Sequence, residues 1–457
     1  MICIISLMSK SENRKILKLL ISVGLPIAIQ NLLSNGINLI DNFMVGSLSE
    51  DALSAVSLAN RSYFIFIMLL FGLISGIGIY SSQYYGSKEI PKIHSMMGIG
   101  FTFGVSFAVL LTILISLFPD DTVRIFIKDE SVVSIGTEYI KIAVLSFIPA
   151  SISMVFQINL RSVRMTKIPM MTSLVAAIFN GLLNYVLIFG KLGFPALGVK
   201  GAAIATVTAR FIELVMVLLF VFFNKNCPLK GTIKSYFSYT LPMMVTVFRR
   251  SLPVVLQEGL WAIGTSVYFI AYGNLSSTSV AAAQISLTSL DIYISLFIGL
   301  GNGAGVMVGN LLGEKQIEKA QRYSNKIILY QIILSIPFAI LFSFSGIWIT
   351  RFLNFSVAGN QATLYTIYVL AAYLPIKCMN FLFIVGILRG GGDTRFCMIS
   401  ETASVWLIGV PLAFISVLVL KLPIYWCVAL VNLEEITKLI LCSIRYKSKK
   451  WINVLVD

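Results

Sequence analysis

Gly72–Lys88 reads GLISGIGIYSSQYYGSK, and Gly299–Lys315 reads GLGNGAGVMVGNLLGEK. Gly72, Gly76, Gly78, Gly86 and Lys88 of the first stretch return as Gly299, Gly303, Gly305, Gly313 and Lys315 of the second, all at an offset of 227 residues. Further out at the same offset, Leu25-Pro26 returns as Leu252-Pro253, Gln30 as Gln257, Gly46 as Gly273 and Ala55 as Ala282, with no gap over roughly 65 residues. Later matches need only small gaps: Pro149 with Pro375, Leu160-Arg161 with Leu388-Arg389, and Pro195 with Pro423, at offsets of 226 to 228. A repeat this long is a lobe of several helices, not a solenoid unit of about 20–50 residues. Both copies lie in strongly apolar sequence. The chain therefore reads as two related membrane lobes, the plan of many secondary transporters.

Composition agrees. The 457 residues are 57% hydrophobic and 12% charged, with mean hydropathy +0.89, where soluble domains average about 25% charged. Spans are expected near 20–45, 53–80, 95–118, 132–156, 168–190 and 199–223, and again near 250–273, 280–306, 324–346, 360–387, 397–420 and 422–444. Helix is the expectation, because lipid satisfies no exposed backbone and none of these runs alternates like a barrel strand. The expected fold is an all-α membrane protein of twelve transmembrane helices in two pseudo-symmetric six-helix bundles. Six is even, so both copies enter from one side and are related by an axis along the membrane normal. The expected divisions are a tail at 1–19, an N-lobe at 20–223, a linker at 224–248, a C-lobe at 249–445 and a tail at 446–457.

Loop charge sets the direction. One side carries 25 cations, the other 6 together with the acidic Asp120, Asp121, Asp129 and Glu130. Both termini are expected in the cytoplasm, in a plasma (inner) membrane. The net charge of +15 is largely this collar, and because the cations flank spans no nucleic-acid partner is expected. Six cysteines show no metal spacing and read as reduced or buried fillers, and His94 is the one histidine. The N-terminus lacks the basic and apolar pattern of a signal peptide, and Met8 is an alternative start. No HExxH, GxSxG or paired-histidine signature occurs, so no enzyme and no cofactor are expected.

Ionisable groups inside spans are expensive and by default face a protein interior or water. Asp41 is the sharpest of them. Gln30, Ser34, Asn38 and Asp41 fall at spacings of 4, 4 and 3 on the first span, an arc of about 80° at helical periodicity. A polar stripe also serves to glue helices together, but a carboxylate held away from water can keep a proton and release it when water or a cation arrives. Asn180 and Asn184 share a face of the fifth span and read as a polar wall opposite Asp41, or as structural glue. Glu258, Trp261 and Thr265 share a face of the seventh span, where a carboxylate beside an aromatic ring would attract an organic cation. The alternative for Glu258 is an ion pair with Arg249 or Arg250. Asp291 on the eighth span reads as a cavity group, with Gln284 seven residues before it, or as a buried partner of Lys377. Arg210 and Glu213 read as an internal pair, and Glu434 and Glu435 as groups near the inner headgroups.

The residues 26–46, with DNFMVG at 41–46, NGLLNYVLIFGKLGFPALGVKGAAIA at 180–205, PVVLQEGLWAIG at 253–264 and LRGGGDTR at 388–395 together resemble the multidrug and toxic compound extrusion (MATE) family of cation-coupled antiporters. The resemblance covers nearly the whole chain. It implies twelve helices in a V around a central cavity that opens to each side in turn. It implies export of amphipathic, often cationic compounds, by a monomer in lipid, against inward Na⁺ or H⁺. By position Asp41 is similar to the first-span coupling carboxylate, which would also be the Na⁺ ligand, with Asn180 and Asn184 as its fifth-span partners. One branch has an aspartate near Asn184, absent here. Another has a seventh-span glutamate one turn from Glu258. A lipid-linked sugar flippase of the same superfamily fold is the alternative, and would need a cationic cavity from residues such as Arg61, Lys141 and Lys377.

Overall fold

The computed structural model describes residues 10–127, 129–352 and 355–456, apart from the side chains of residues 10, 11, 35, 38, 39 and 352. Among these residues there is no strand, and twelve long helical elements follow one another. They are α1 (Lys10–Gly46), α2 (Glu50–Gly86), α3 (Ile90–Leu117), α4 (Glu130–Ser162), α5 (Lys167–Phe189), α6 (Val199–Phe223), α7 (Leu241–Tyr272), α8 (Ser277–Gly313), α9 (Ile317–Phe352), α10 (Val357–Leu388), α11 (Thr394–Val419) and α12 (Ile424–Lys447, interrupted at Asn432). Eleven of them are apolar enough over their length to cross a bilayer, and α12 is the one broken element. Most run past the expected ends, because polar first and last turns such as Lys10–Lys18 continue the helix beyond its apolar stretch.

The repeat is visible in how helices start and stop. Ser49 caps α2 by accepting from Ala52 N at 3.0 Å, and Ser276, 227 residues later, caps α8 by accepting from Ser279 N at 3.1 Å. The same two helices end with Lys88 at φ 65° and Lys315 at φ 58°, so the shared lysines occupy one left-handed turn. In that turn Glu89 N returns to Tyr84 O and Gln316 N to Leu311 O, both at 2.9 Å.

By contacts the chain forms two units: residues 29–255, and residues 256–457 together with residues up to 28. The divisions fall inside helices, between Ala28 and Ile29 of α1 and between Val255 and Leu256 of α7. The first part of α1 thus packs with the second repeat, and the first part of α7 with the first repeat. Ile16 and Leu20 join the core of Phe297, Phe342 and Cys378. Shared glycines carry both contacts. A Cβ on Gly299 would stand 2.4 Å from Ala28 N, and one on Gly72 would stand 2.7 Å from Val255 Cα. Ala28 and Val255 are themselves 227 apart, so the same close approach is built twice.

The segment at 224–248 is not a free linker. His94 meets Pro228 O at 2.9 Å, the Tyr236 hydroxyl donates to Leu229 O at 2.7 Å, and α7 already begins at Leu241. Burial pushes the Cys227 thiol there above its ordinary range. All five described cysteines are free and buried, and Cys3 lies outside the described residues.

Candidate functional site

In the unit of residues 29–255, Asp41 of α1, with Asn180 and Asn184 of α5, converges to one point. Asn184 Nδ2 donates to Asp41 Oδ1 at 2.5 Å. With the Asn180 amide turned so that its nitrogen faces the carboxylate, it donates at 2.8 Å and 3.3 Å. The four-residue spacing stacks the two amides on one face of α5, and both are 4% exposed or less. Asn184 Oδ1 is buried with no partner. One carboxylate, two turnable amides and a spare amide oxygen suit a proton, or a hard cation once the amides present oxygen. Among the described residues no group of three or more His, Cys, Asp or Glu could hold a metal ion. Arg210 of α6 pairs with Glu213 at 2.9 Å, as its spacing implies, lies over the Tyr63 ring at 5.7 Å, and acts electrostatically on Asp41.

Gln30 and Ser34 of the first-span stripe have other partners. Gln30 belongs to a second, buried network: Nε2 donates to Gln157 Oε1 at 3.0 Å and Ser173 Oγ at 2.8 Å, and Oε1 accepts from Arg161 at 2.6 Å. Ser173 and Gln157 both continue to Glu213 Oε1, at 2.8 Å and 3.0 Å. Ser34 is exposed and donates to Gln30 O at 3.0 Å. The side chain of Asn38 lies outside the described residues.

The other unit holds a second charged cluster. Glu258 pairs with Arg389, the residue just after α10, at 2.8 Å and not with Arg249 or Arg250; Arg389 is drawn inward to 2% side-chain exposure. Lys377 forms its salt bridge with Glu435 at 3.1 Å and acts on Asp291, which lies exposed on α8, electrostatically and without a salt bridge. Glu434 and Glu435 are 4% and 8% exposed and bind Lys438 at 3.3 Å and 3.4 Å, so they are core groups and not headgroup ones. Glu434 and Glu435 lie in the first helical turn after the break at Asn432. Tyr268, at the repeat position of Asp41, donates to Glu434 at 2.5 Å. Trp261 packs on the core, Thr265 donates to Trp261 O at 3.1 Å, and Gln284 donates to Thr288 at 3.2 Å. Among the described hydrogen bonds none links Trp261 or Thr265 to Glu258, or Gln284 to Asp291.

Sequence reading gave no site role to Gln157, Arg161, Ser173 or Lys438, although it matched Arg161 with Arg389. The repeat also aligns Ser173 with Glu401 and Arg210 with Lys438 at offset 228, whereas Gln157 falls on Val385 and had no such signal.

The profile of the MatE family matches residues 26–186 and 253–415. Among curated relatives, the chain is 24% identical to the probable multidrug resistance protein YoeA of Bacillus subtilis, over 85% of this chain and 84% of that one. It is 26% identical to the probable multidrug resistance protein NorM of Thermotoga maritima, over 89% and 87%. Solved structures share the fold: the eukaryotic MATE transporter AtDTX14 superposes with TM-score 0.85 at 17% identity, covering 96% of this chain and 97% of that one. A variant of the Vibrio cholerae MATE transporter VcmN gives 0.87 at 15%, covering 97% and 100%. With both repeats matched across more than half of its length, the chain belongs to the MatE family and has the twelve-helix MATE fold.

Proposed function

We propose that the protein is a secondary antiporter that expels amphipathic, often cationic organic compounds in exchange for H⁺ or Na⁺ by alternating access, with Asp41 as the coupling carboxylate. Family membership makes the chain a multidrug-efflux-type membrane transporter, not an enzyme, and one that needs no cofactor. The observation that carries the finer reading is the convergence of Asp41, Asn180 and Asn184 within membrane-spanning helices. A lone carboxylate there has amide N–H donors when ionised, and amides that can turn when a proton or cation arrives. Ion binding changes the bonds that tie α1 to α5, and it shifts the conformational equilibrium only by its difference in affinity for the two states. A membrane potential of 100 mV supplies about 2.3 kcal/mol per net charge moved, so one ion exchanged for an uncharged substrate sustains roughly a fifty-fold gradient, while one-for-one exchange with a monocation draws on the ion's concentration gradient alone.

The excess of cations, 25 against 6, supports a plasma-membrane setting with both termini cytoplasmic. The flippase reading needs free cations, whereas Lys377 is neutralised by Glu435 at 3.1 Å.

The test is ethidium transport in proteoliposomes under an imposed Na⁺ gradient or an imposed pH gradient, applied separately. Asp41→Asn, which keeps the side-chain volume, is expected to insert and fold normally and to lose transport under either gradient. Undiminished transport in that variant dismisses the role of Asp41.

A further inference from the structure

Four carboxylates gather in the unit that does not contain Asp41: Glu258 on α7, Glu401 on α11, and Glu434 and Glu435 on α12. Three cations answer them. Arg389 takes Glu258 at 2.8 Å, Lys377 takes Glu435 at 3.1 Å, and Lys438 takes Glu434 at 3.3 Å and Glu435 at 3.4 Å. That leaves Glu401 with no ion pair of its own among the described residues. Its hydrogen-bond partner is Gln257, whose Nε2 donates to Glu401 Oε2. Gln257 is 1% exposed, and its other amide atom, Oε1, is buried with no partner.

The first repeat supplies the comparison. Gln30 stands where Gln257 does, and both ends of its amide are used: Nε2 on Gln157 and Ser173, Oε1 on Arg161. Ser173 stands where Glu401 does, at offset 228. In one unit a Gln meets a neutral hydroxyl and is satisfied. In the other it meets a carboxyl and is left with an idle acceptor. A carboxylate accepts from an amide N–H, whereas a carboxylic acid donates its O–H to an amide oxygen. Gln257 holds one end for each state, and leaving such an acceptor buried and idle is costly.

Charge counting points the same way. Holding a fourth carboxylate, half-buried, against three cations inside a membrane span is expensive, and a proton removes the excess charge. The groups facing Glu401 are Glu258 from α7, Arg389 at the end of α10, Lys438 from α12, Cys397 on its own helix and Cys442. Four residues on, α11 loosens into the π-helical segment Val405–Gly409, a geometry often found at functional sites.

We propose that Glu401 is a second proton-exchanging site, with Gln257 turning its amide to serve whichever protonation state Glu401 holds, so that each cycle moves two protons and not one. The coupling part rests on the antiport reading above. The proton exchange does not, and is measured without transport.

The experiment is proton uptake by the purified full-length protein on a jump from alkaline to mildly acidic pH, read with an indicator dye. Glu401→Gln is expected to take up about one proton fewer per chain than the wild type. Glu401→Ser, which installs the residue of the equivalent position in the other unit, is expected to do the same and covers the case in which the glutamine variant fails to fold. Equal uptake by the folded variant and the wild type overturns the proposal. In proteoliposomes with the potential clamped at zero, the wild type is expected to build about a hundred-fold substrate gradient per pH unit and Glu401→Gln about ten-fold. A ten-fold gradient in both overturns the two-proton cycle. Absence of pH-driven transport in the wild type overturns the two-proton cycle, and the antiport reading then falls only if an imposed Na⁺ gradient also drives no transport; the proton count decides the site in either case.

Discussion

Replacing Gly299 by alanine tests how tightly α8 is held against the first part of α1. The added Cβ would stand 2.4 Å from Ala28 N and 2.6 Å from Ala28 Cα. Carbon contacts are comfortable from about 3.5 Å, so the two helices must part by about 1 Å along that line. The atoms in the way are backbone and cannot rotate aside, which places the cost toward the upper part of the usual overpacking range of about 1–3 kcal/mol. Alanine returns up to about 1 kcal/mol through its better helix propensity. The net expectation is about 1–2 kcal/mol of destabilisation. Gly72→Ala, its repeat counterpart, meets Val255 Cα at 2.7 Å and is expected to lose somewhat less. Gly181→Ala is the control, with nothing within 4 Å of the new Cβ, and is expected to be neutral or slightly stabilising. Thermal unfolding of the purified proteins in one detergent should rank them Gly181→Ala, wild type, Gly72→Ala, Gly299→Ala, from most to least stable. A Gly299→Ala protein that unfolds at or above the wild-type temperature refutes the reasoning.

Two further outcomes follow from the charged and thiol groups. Removing Glu258 takes the carboxylate from a 2%-exposed Arg389, and Glu258→Ala is expected to cost about 3 kcal/mol or more, while Glu258→Leu combined with Arg389→Met recovers most of it. A double-mutant cycle with no coupling between the two positions would show that the pair is not structural. Cys227 sits outside the spans, and burial raises its thiol above the ordinary range, so little of it is thiolate at neutral pH. In a variant with Cys227 as the only cysteine, maleimide labelling is expected to be slow in the native protein and to quicken as pH rises or denaturant is added. Fast labelling at neutral pH under native conditions counts against the burial described.

The fold was legible because a membrane forces the issue: apolar length, loop charge and a long repeat leave few architectures. The site was legible in part. Asp41 meets Asn180 and Asn184 because a helical period puts each set on one face, and that period is written in the chain. Gln30 shares the period with Asp41 and yet serves another network, since the partners that decide its role, Gln157, Ser173 and Arg161, come from other helices. Arg389 and Lys438 look like ordinary collar cations. Only their packing shows them to be partners of buried carboxylates, and the alignment of the two repeats was the one hint of it. The π-helical turns of α10 and α11 and the break at Asn432 have no composition signal, and the burial of Glu434 and Glu435 just after that break was not expected.

The point at which the chain changes units, between Ala28 and Ile29 and again between Val255 and Leu256, bears on ancestry and assembly. Each half of the coding sequence lacks a piece of its own core and borrows it from its twin, as in a swapped dimer that was later joined end to end. A chain cut in the 224–240 region therefore yields two fragments that are each incomplete alone and complementary when made together.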